Sequence, residues 1–355
     1  MKRLPNLDVL RFLLASMVIL YHLPKLSRNQ GLPYFDELSI FNRGKEAVYM
    51  FFVLSGFLII MLIYNAKKKN MFSIRHFYMR RVLRIFPLYY LVLIFGFTFY
   101  NFILPGLQID YPINYNLWEG VLLTFFFLPN IFSKLYAPGG ILEILWSIGI
   151  EEQFYLIIAP LMYFIKRKYV LIVLCLLTVI YFLIFHLDAF EILRRFWFVF
   201  FFIFSGGIIV ILEMNKRLEF LKKHLFIPVA IVVLTVLFFT TDFLLFENLW
   251  VQNGFLCLLF SLFIHTISYN NYKIAIENKL LNYLGTISYG IYMYHVIALN
   301  AIVFLFLKIE KFELFGDRIT TILINILTFA LTILMAHISY KYFESYFLNL
   351  KSKYK

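Results

Sequence analysis

Apolar residues run along this chain in long blocks, separated by short stretches in which lysine, arginine, asparagine and proline collect. A helix needs about 20 mostly apolar residues to cross the hydrocarbon of a bilayer. Ten blocks approach that length: 8–24, 46–64, 85–104, 147–165, 169–187, 192–212, 225–241, 249–268, 284–307 and 319–341. A further apolar segment, 118–133, is short and is broken by Pro129 and Asn130, which predicts a segment that dips into the membrane and returns. The pattern therefore predicts an all-α polytopic membrane bundle of about ten transmembrane helices plus one re-entrant segment, forming a single integral-membrane domain over 1–355. No internal repeat, low-complexity tract or soluble domain interrupts it.

Composition agrees with lipid as the solvent. Hydrophobic residues make up 62% of the chain and charged residues 15%, against about 45–50% and about 25% in soluble domains. The formal charge of +13 is read as a topology signal, with no nucleic-acid partner implied. If 118–133 re-enters, about two-thirds of the 33 Lys and Arg fall on the N-terminal side of the membrane, among them Lys2, Arg3, Lys67–Lys69, Lys166–Lys168, Lys273 and Lys355. That places both termini in the cytoplasm of a multi-pass protein of the inner (cytoplasmic) membrane. If 118–133 spans instead, much of this charge moves outside, against the positive-inside bias. The first outer loop, with Lys25, Arg28, Arg43 and Lys45, follows the rule poorly. Cys175 and Cys257 lie in apolar runs and are read as packing residues. The N-terminus resembles a secretion signal, but Asp8 and Arg11 interrupt its apolar stretch and no cleavage site follows, so it is expected to stay as a helix.

Ionisable residues inside the apolar blocks carry the candidate chemistry. Arg11 sits within the first block, where a charge costs about 2.5–3.5 kcal/mol on insertion scales and so seeks a cavity or a partner. At 100° per residue His22 returns to the same helix face, about 16 Å further along the axis. The two either line opposite ends of a passage, or Arg11 snorkels to headgroups and His22 is interfacial. Arg80, Arg81 and Arg84 cluster at the cytoplasmic start of the third block, with Pro87 near its first turn. They serve as topology signal and anionic-lipid contact, or as a clamp in which guanidinium groups grip phosphate.

Glu151 and Glu152 enter the fourth block near its outer end, at a depth that matches His22. A His22–Glu151 pair is then geometrically possible, a common general-base arrangement. Alternatively both carboxylates are solvated, which fits Glu152 better. His295 falls mid-span in the ninth block, on a helical stripe with Ser288 and Tyr292. Such a stripe serves as interhelical glue or as part of a site. His265 and His337 are read as structural. No HExxH, no Cys/His metal spacing and no GxSxG elbow is present, so no metal site is expected.

These residues resemble acyltransferase family 3, integral-membrane enzymes that move acyl groups from cytoplasmic acyl-CoA to hydroxyl acceptors such as envelope carbohydrates. The family's Arg-x10-His corresponds to Arg11 and His22, and its FFxLSGF to Phe51, Phe52, Leu54, Ser55, Gly56 and Phe57. RRxxRIxPxY matches Arg80, Arg81, Arg84, Ile85, Pro87 and Tyr89; WSLxxExxFY matches Trp146, Ser147, Ile148, Glu151, Phe154 and Tyr155. LGxxSYxxYLxH resembles Leu284, Gly285, Ser288, Tyr289, Tyr292 and His295, and SYxxxExP is approached by Ser339, Tyr340 and Glu344. Ile148 and Met293 replace leucines, and Ile297 and Ser345 stand where prolines are usual.

The resemblance implies acyl-CoA, most commonly acetyl-CoA, as donor and a carbohydrate hydroxyl (O-antigen, capsule or exopolysaccharide) as acceptor. It further implies catalytic roles for His22, Arg11 and Glu151, cofactor binding by Arg80, Arg81 and Arg84, and a substrate channel touching Ser147, Tyr155, Ser288, Tyr292 and His295. Many relatives carry a fused esterase-like domain of the SGNH type, and a stand-alone membrane domain without one is expected here. The chain is thus expected to deliver the acyl group itself or to hand it to a separate extracytoplasmic transfer protein. Two other functions are compatible with the buried charges: export of glycan intermediates, and acylation of a small secreted metabolite.

Overall fold

A computed structural model describes residues 4–269, 275–308 and 316–354. Lys2, Arg3, Lys273 and Lys355, which count toward the expected cytoplasmic charge, lie outside the described residues. Every regular element among the described residues is helical. The first half holds α1 (Leu7–Asn29), α2 (Gly44–Lys68), α3 (Ile74–Thr98), α4 (Leu117–Phe125), α5 (Pro129–Tyr136) and α6 (Trp146–Phe164). Then follow α7 (Val170–His186), α8 (Phe200–Met214), α9 (Phe226–Thr240) and α10 (Leu249–Ser268). The last are α11 (Lys279–Thr286), α12 (Ser288–Lys308) and α13 (Gly316–Ser339).

All ten apolar blocks are helical, but the number of clear spans is lower than ten. Seven helices among the described residues are long and apolar enough to cross a membrane, or eight if a pair bent by 84° counts as one span. Three blocks account for the difference. The 15 residues of α9 reach about 22 Å, short of a hydrocarbon core of about 30 Å. Polar Glu151, Glu152 and Gln153 lower the apolarity of α6. The block 192–212 is the bent pair, broken ahead of α8 where Trp197 adopts φ 57. The expected re-entrant segment forms α4 and α5, of 9 and 8 residues, and neither is long enough to cross. Pro129 opens α5, where a missing N–H costs nothing.

The third block also begins earlier than its hydropathy predicts. Ser73 caps α3 by accepting from the His76 N–H at 3.3 Å, so the arginine cluster lies on the helix and not ahead of it. Pro87 consequently sits in the helix interior. Two close backbone approaches fix the centre of the bundle. A Cβ on Gly56 would lie 1.7 Å from the Ile203 carbonyl oxygen, and one on Gly206 would lie 1.9 Å from that of Val53. With glycine at both positions α2 and α8 touch backbone to backbone, the small-residue packing that suits helices in lipid.

Candidate active site

Five helices, α1, α2, α3, α6 and α12, enclose a cavity of about 210 Å³. Its cationic wall is Arg11 from α1 with Arg81 and Arg84 from α3, which are adjacent on one helix face at i, i+3. Facing them are Ser55 from α2 and Ser147, Glu151 and Tyr155 from α6, while α12 contributes Ser288, Tyr289 and Tyr292. Eight of the sequence-predicted site residues thus share one space: Arg11, Arg81, Arg84, Ser147, Glu151, Tyr155, Ser288 and Tyr292.

Several of them are held by neighbours. Arg11 Nη1 donates to Asp8 Oδ1 at 2.7 Å, one turn back on α1. Asp8 is in turn gripped by α11, since a Cβ on Gly285 would lie 1.9 Å from the Asp8 carbonyl oxygen. Ser55 Oγ donates to Glu151 Oε1 at 2.5 Å and Tyr155 Oη to Glu151 Oε2 at 3.3 Å, which joins α2 to α6 through one carboxylate. The Arg81 guanidinium lies 5.8 Å from the Tyr155 ring, and its Nε has no hydrogen-bond partner among the described residues. An unmade bond of this kind on a cation favours an anionic occupant.

Farther along α12, beyond the residues that line the cavity, lies a pair of histidines, His22 and His295. Tyr292 Oη donates to the Ile144 carbonyl at 2.9 Å and lies 2.7 Å from Ser147 Oγ. With the tyrosine hydrogen so committed, Ser147 is the donor of that second bond. One turn on, His295 is completely buried, and its ring centroid is 5.7 Å from Tyr292 and 5.1 Å from His22. His295 Nδ1 lies 2.5 Å from the Tyr292 carbonyl oxygen, so it carries the hydrogen, and Nε2 is left with a lone pair and no partner among the described residues.

Three expectations are corrected. His22 and Glu151 form no pair: Glu151 is bonded to Ser55 and Tyr155, and His22 packs on His295 and Tyr21. Depth counted from the ends of the apolar blocks misleads because the turn Gly140–Glu143 packs at the level of Val296, beside His295, where a Cβ on Gly140 would lie 3.1 Å from Val296 Cγ1. Ser147 is already one layer below that turn, and Glu151 lies about 6 Å deeper still. Glu152 is not solvated but only 5% exposed, with Oε1 unpartnered among the described residues. Arg80 does not line the cavity with Arg81 and Arg84; its Nε donates to the Tyr354 carbonyl at 2.5 Å.

Asp8, Gln153 and Tyr289, whose Oη donates to the Ile85 carbonyl at 2.9 Å, carry structural roles that the sequence pattern did not assign. The signal for Asp8 was present, an acid three residues before an in-span arginine. Gln153 gave no signal: its amide donates to the Phe127 carbonyl at 2.7 Å and to Asn130 Oδ1 at 2.8 Å, contacts visible only in three dimensions.

A helical membrane bundle whose cationic cavity ends at Tyr292, one turn from the buried His295 and its half-buried neighbour His22, has the parts needed to hold an anionic donor near a base. The sequence profile of the acyltransferase-domain family matches residues 4–340, and the chain belongs to that family. It is 29% identical over 324 residues to the peptidoglycan O-acetyltransferase OatA of Listeria monocytogenes, a match covering 83% of this chain and 49% of the relative. It is 29% identical over 163 residues to YrhL of Bacillus subtilis, named as a candidate peptidoglycan O-acetyltransferase, covering 43% of this chain and 23% of the relative. ORF330 of Acidianus two-tailed virus, named as a candidate acetyltransferase, is 31% identical over 311 residues, 82% of each chain. The chain thus spans about half the length of the Listeria relative and about a quarter of the Bacillus one. No solved structure matches.

Proposed function

We propose that this protein is a membrane O-acetyltransferase that moves an acetyl group from cytoplasmic acetyl-CoA to a hydroxyl of an envelope glycan. The observation that carries the reading is the continuity of the cavity from Arg11, Arg81 and Arg84 to Tyr292, directly below His295 and His22. The names of the Listeria and Bacillus relatives support acetyl as cargo and peptidoglycan as the type of acceptor. Both termini are assigned to the cytoplasm of a bacterial inner membrane, with surrounding lipid as the remaining partner. A separate extracytoplasmic protein that completes transfer is compatible with this arrangement.

In this mechanism the CoA phosphates dock against Arg81 and Arg84, and the pantetheine arm runs past Arg11 toward the far end of α1. Arg80, tied to the Tyr354 carbonyl, supports the cluster from outside the cavity. The thioester carbonyl comes to rest near His22. His22 removes the proton of the acceptor hydroxyl as its oxygen attacks that carbonyl; the C–S bond then breaks, and the departing thiolate takes the proton back from His22. Acyl-CoA and alcohol become ester and free CoA with no other reactant. Glu151, locked to Ser55, serves the cationic wall and not His22. General-base assistance of this type is typically worth about 10²–10⁴ in rate.

The test is thiol release from acetyl-CoA by the purified full-length protein in proteoliposomes supplied with a hydroxyl acceptor. Saturable, protein-dependent release is expected. Absence of release with acetyl-, propionyl-, butyryl- and palmitoyl-CoA would contradict the reading and leave glycan export as the better account.

A further inference from the structure

Of the four basic residues in the first outer loop, two are matched by acids: Arg28 pairs with Asp36, and Arg43 Nη2 lies 2.5 Å from Asp242 Oδ1. Lys25 and Lys45 are different, and so is Lys134 on α5. None of the three makes a direct ion pair with a carboxylate among the described residues and all are exposed; the acids they feel are Glu143, near Lys25 and Lys134, and Glu46, near Lys45. Each ammonium lies over an aromatic ring instead: Lys25 is 3.7 Å from the centroid of Tyr21, Lys134 is 4.0 Å from Trp197 and Lys45 is 5.6 Å from Tyr49.

These rings sit at the end of the bundle where His22 lies. Tyr21 precedes His22 in α1. Trp146 opens α6 just after the turn that packs beside His295. Its ring is 4.8 Å from that of Trp197 and 5.8 Å from that of Phe52, which lines the cavity. Aromatic surface therefore runs from the cavity wall to the lysines at the rim.

Trp197 is held there at a cost. A bulky residue at φ 57 is a backbone outlier, kept where surrounding structure demands it. Asn130 Nδ2 donates to the Phe196 carbonyl at 2.9 Å, and Gln153 fixes Asn130 in turn. The indole is thereby braced from α6, two residues beyond Glu151.

Sugar rings pack an apolar C–H face on aromatic side chains and offer hydroxyls around the edge; glycan carboxylates and phosphates require cations. We infer that this end of the bundle is a binding site for an anionic glycan, with a sugar ring on Trp146 and Trp197 and its acid group met by Lys25, Lys45 and Lys134. It deepens the acetyltransferase reading, on which it rests for treating that glycan as the acceptor. Anionic lipid headgroups are the competing occupant.

The test places full-length protein in phosphatidylcholine nanodiscs and measures binding of two probes. One is the tetrasaccharide of alternating N-acetylglucosamine and N-acetylmuramic acid, which carries lactyl carboxylates; the other is neutral chitotetraose. The acidic probe is expected to bind about tenfold more tightly, an advantage that shrinks with added salt. Lys134→Gln and the double variant Lys25→Gln/Lys45→Gln should each reduce the advantage. Trp197→Leu should weaken both probes, and Trp197→Phe should restore most of the loss. Equal binding of the two probes, or lysine variants without effect, overturns the inference. So does displacement of the acidic probe by phosphatidylglycerol added to the disc, which assigns the lysines to lipid. Thiol release from acetyl-CoA by the same samples separates the two claims: lysine-dependent discrimination without release removes the catalysis and keeps the site, and release without discrimination does the reverse.

Discussion

His22 and His295 hold their rings 5.1 Å apart across α1 and α12, and the one free nitrogen of His295 is buried. Because His295 Nδ1 is committed to the Tyr292 carbonyl, Nε2 is an acceptor. It is placed to receive an N–H from His22 when substrate closes the site, which would fix which His22 nitrogen is basic. His295 is then a positioning residue. His295→Asn is expected to lower kcat up to about a hundredfold with little change in KM for acetyl-CoA. Parallel loss of folding, read by size-exclusion elution of the purified variant, would indicate a packing role instead.

The arginine cluster divides in two. Arg81→Ala and Arg84→Ala remove cavity-lining cations and should each raise KM for acetyl-CoA about tenfold or more, the worth of one charge-assisted hydrogen bond. Arg80→Ala, at a residue bonded to the Tyr354 carbonyl, should leave that KM nearly unchanged. Steady-state kinetics with acetyl-CoA and its 3′-dephospho form distinguish the three; equal effects from all of them would contradict the division.

Ser55 and Glu151 are coupled at 2.5 Å. Ser55→Ala leaves the carboxylate short of a donor and should destabilise the protein by about 1–3 kcal/mol. Glu151→Gln removes charge facing the arginines while keeping volume. The double variant should cost less than the sum of the singles, and strict additivity would contradict the coupling. Thermal melts in detergent measure all three.

Gly56 tests the packing. With the Ile203 carbonyl oxygen 1.7 Å from an added Cβ, Gly56→Ala must separate α2 from α8 and should lower the melting temperature clearly, at a cost of about 1–3 kcal/mol. Gly106→Ala, with no atom within 4 Å of its added Cβ, is the matching control and should change little.

Much of this architecture is legible in the chain because lipid imposes a simple rule: blocks of apolar residues become helices, and all ten did. What the blocks do not reveal is where a helix bends or whether it reaches across. Trp197 illustrates the limit, since no glycine or proline marks its left-handed turn. The site was legible as residues and only partly as geometry. Arg11, Glu151 and Tyr292 line one cavity, although the apolar blocks put Glu151 at the depth of His22 and away from Arg11; intramembrane polar groups seek one another. Pairing His22 with Glu151 failed because equal distance from the ends of two apolar blocks is not equal depth. Its true neighbour, His295, looked like helix glue because its partner lies more than 270 residues away in the chain.

The central claim is that His22 is the base of an O-acetyl transfer. Mass spectrometry of envelope glycan tests it most directly, in host cells lacking the protein and in the same cells complemented with wild type or with His22→Ala, before and after mild alkali. The account predicts an acetyl mass increment that alkali removes, present with wild type and absent both from uncomplemented cells and from cells carrying His22→Ala at equal membrane abundance. An undiminished increment with His22→Ala would contradict it.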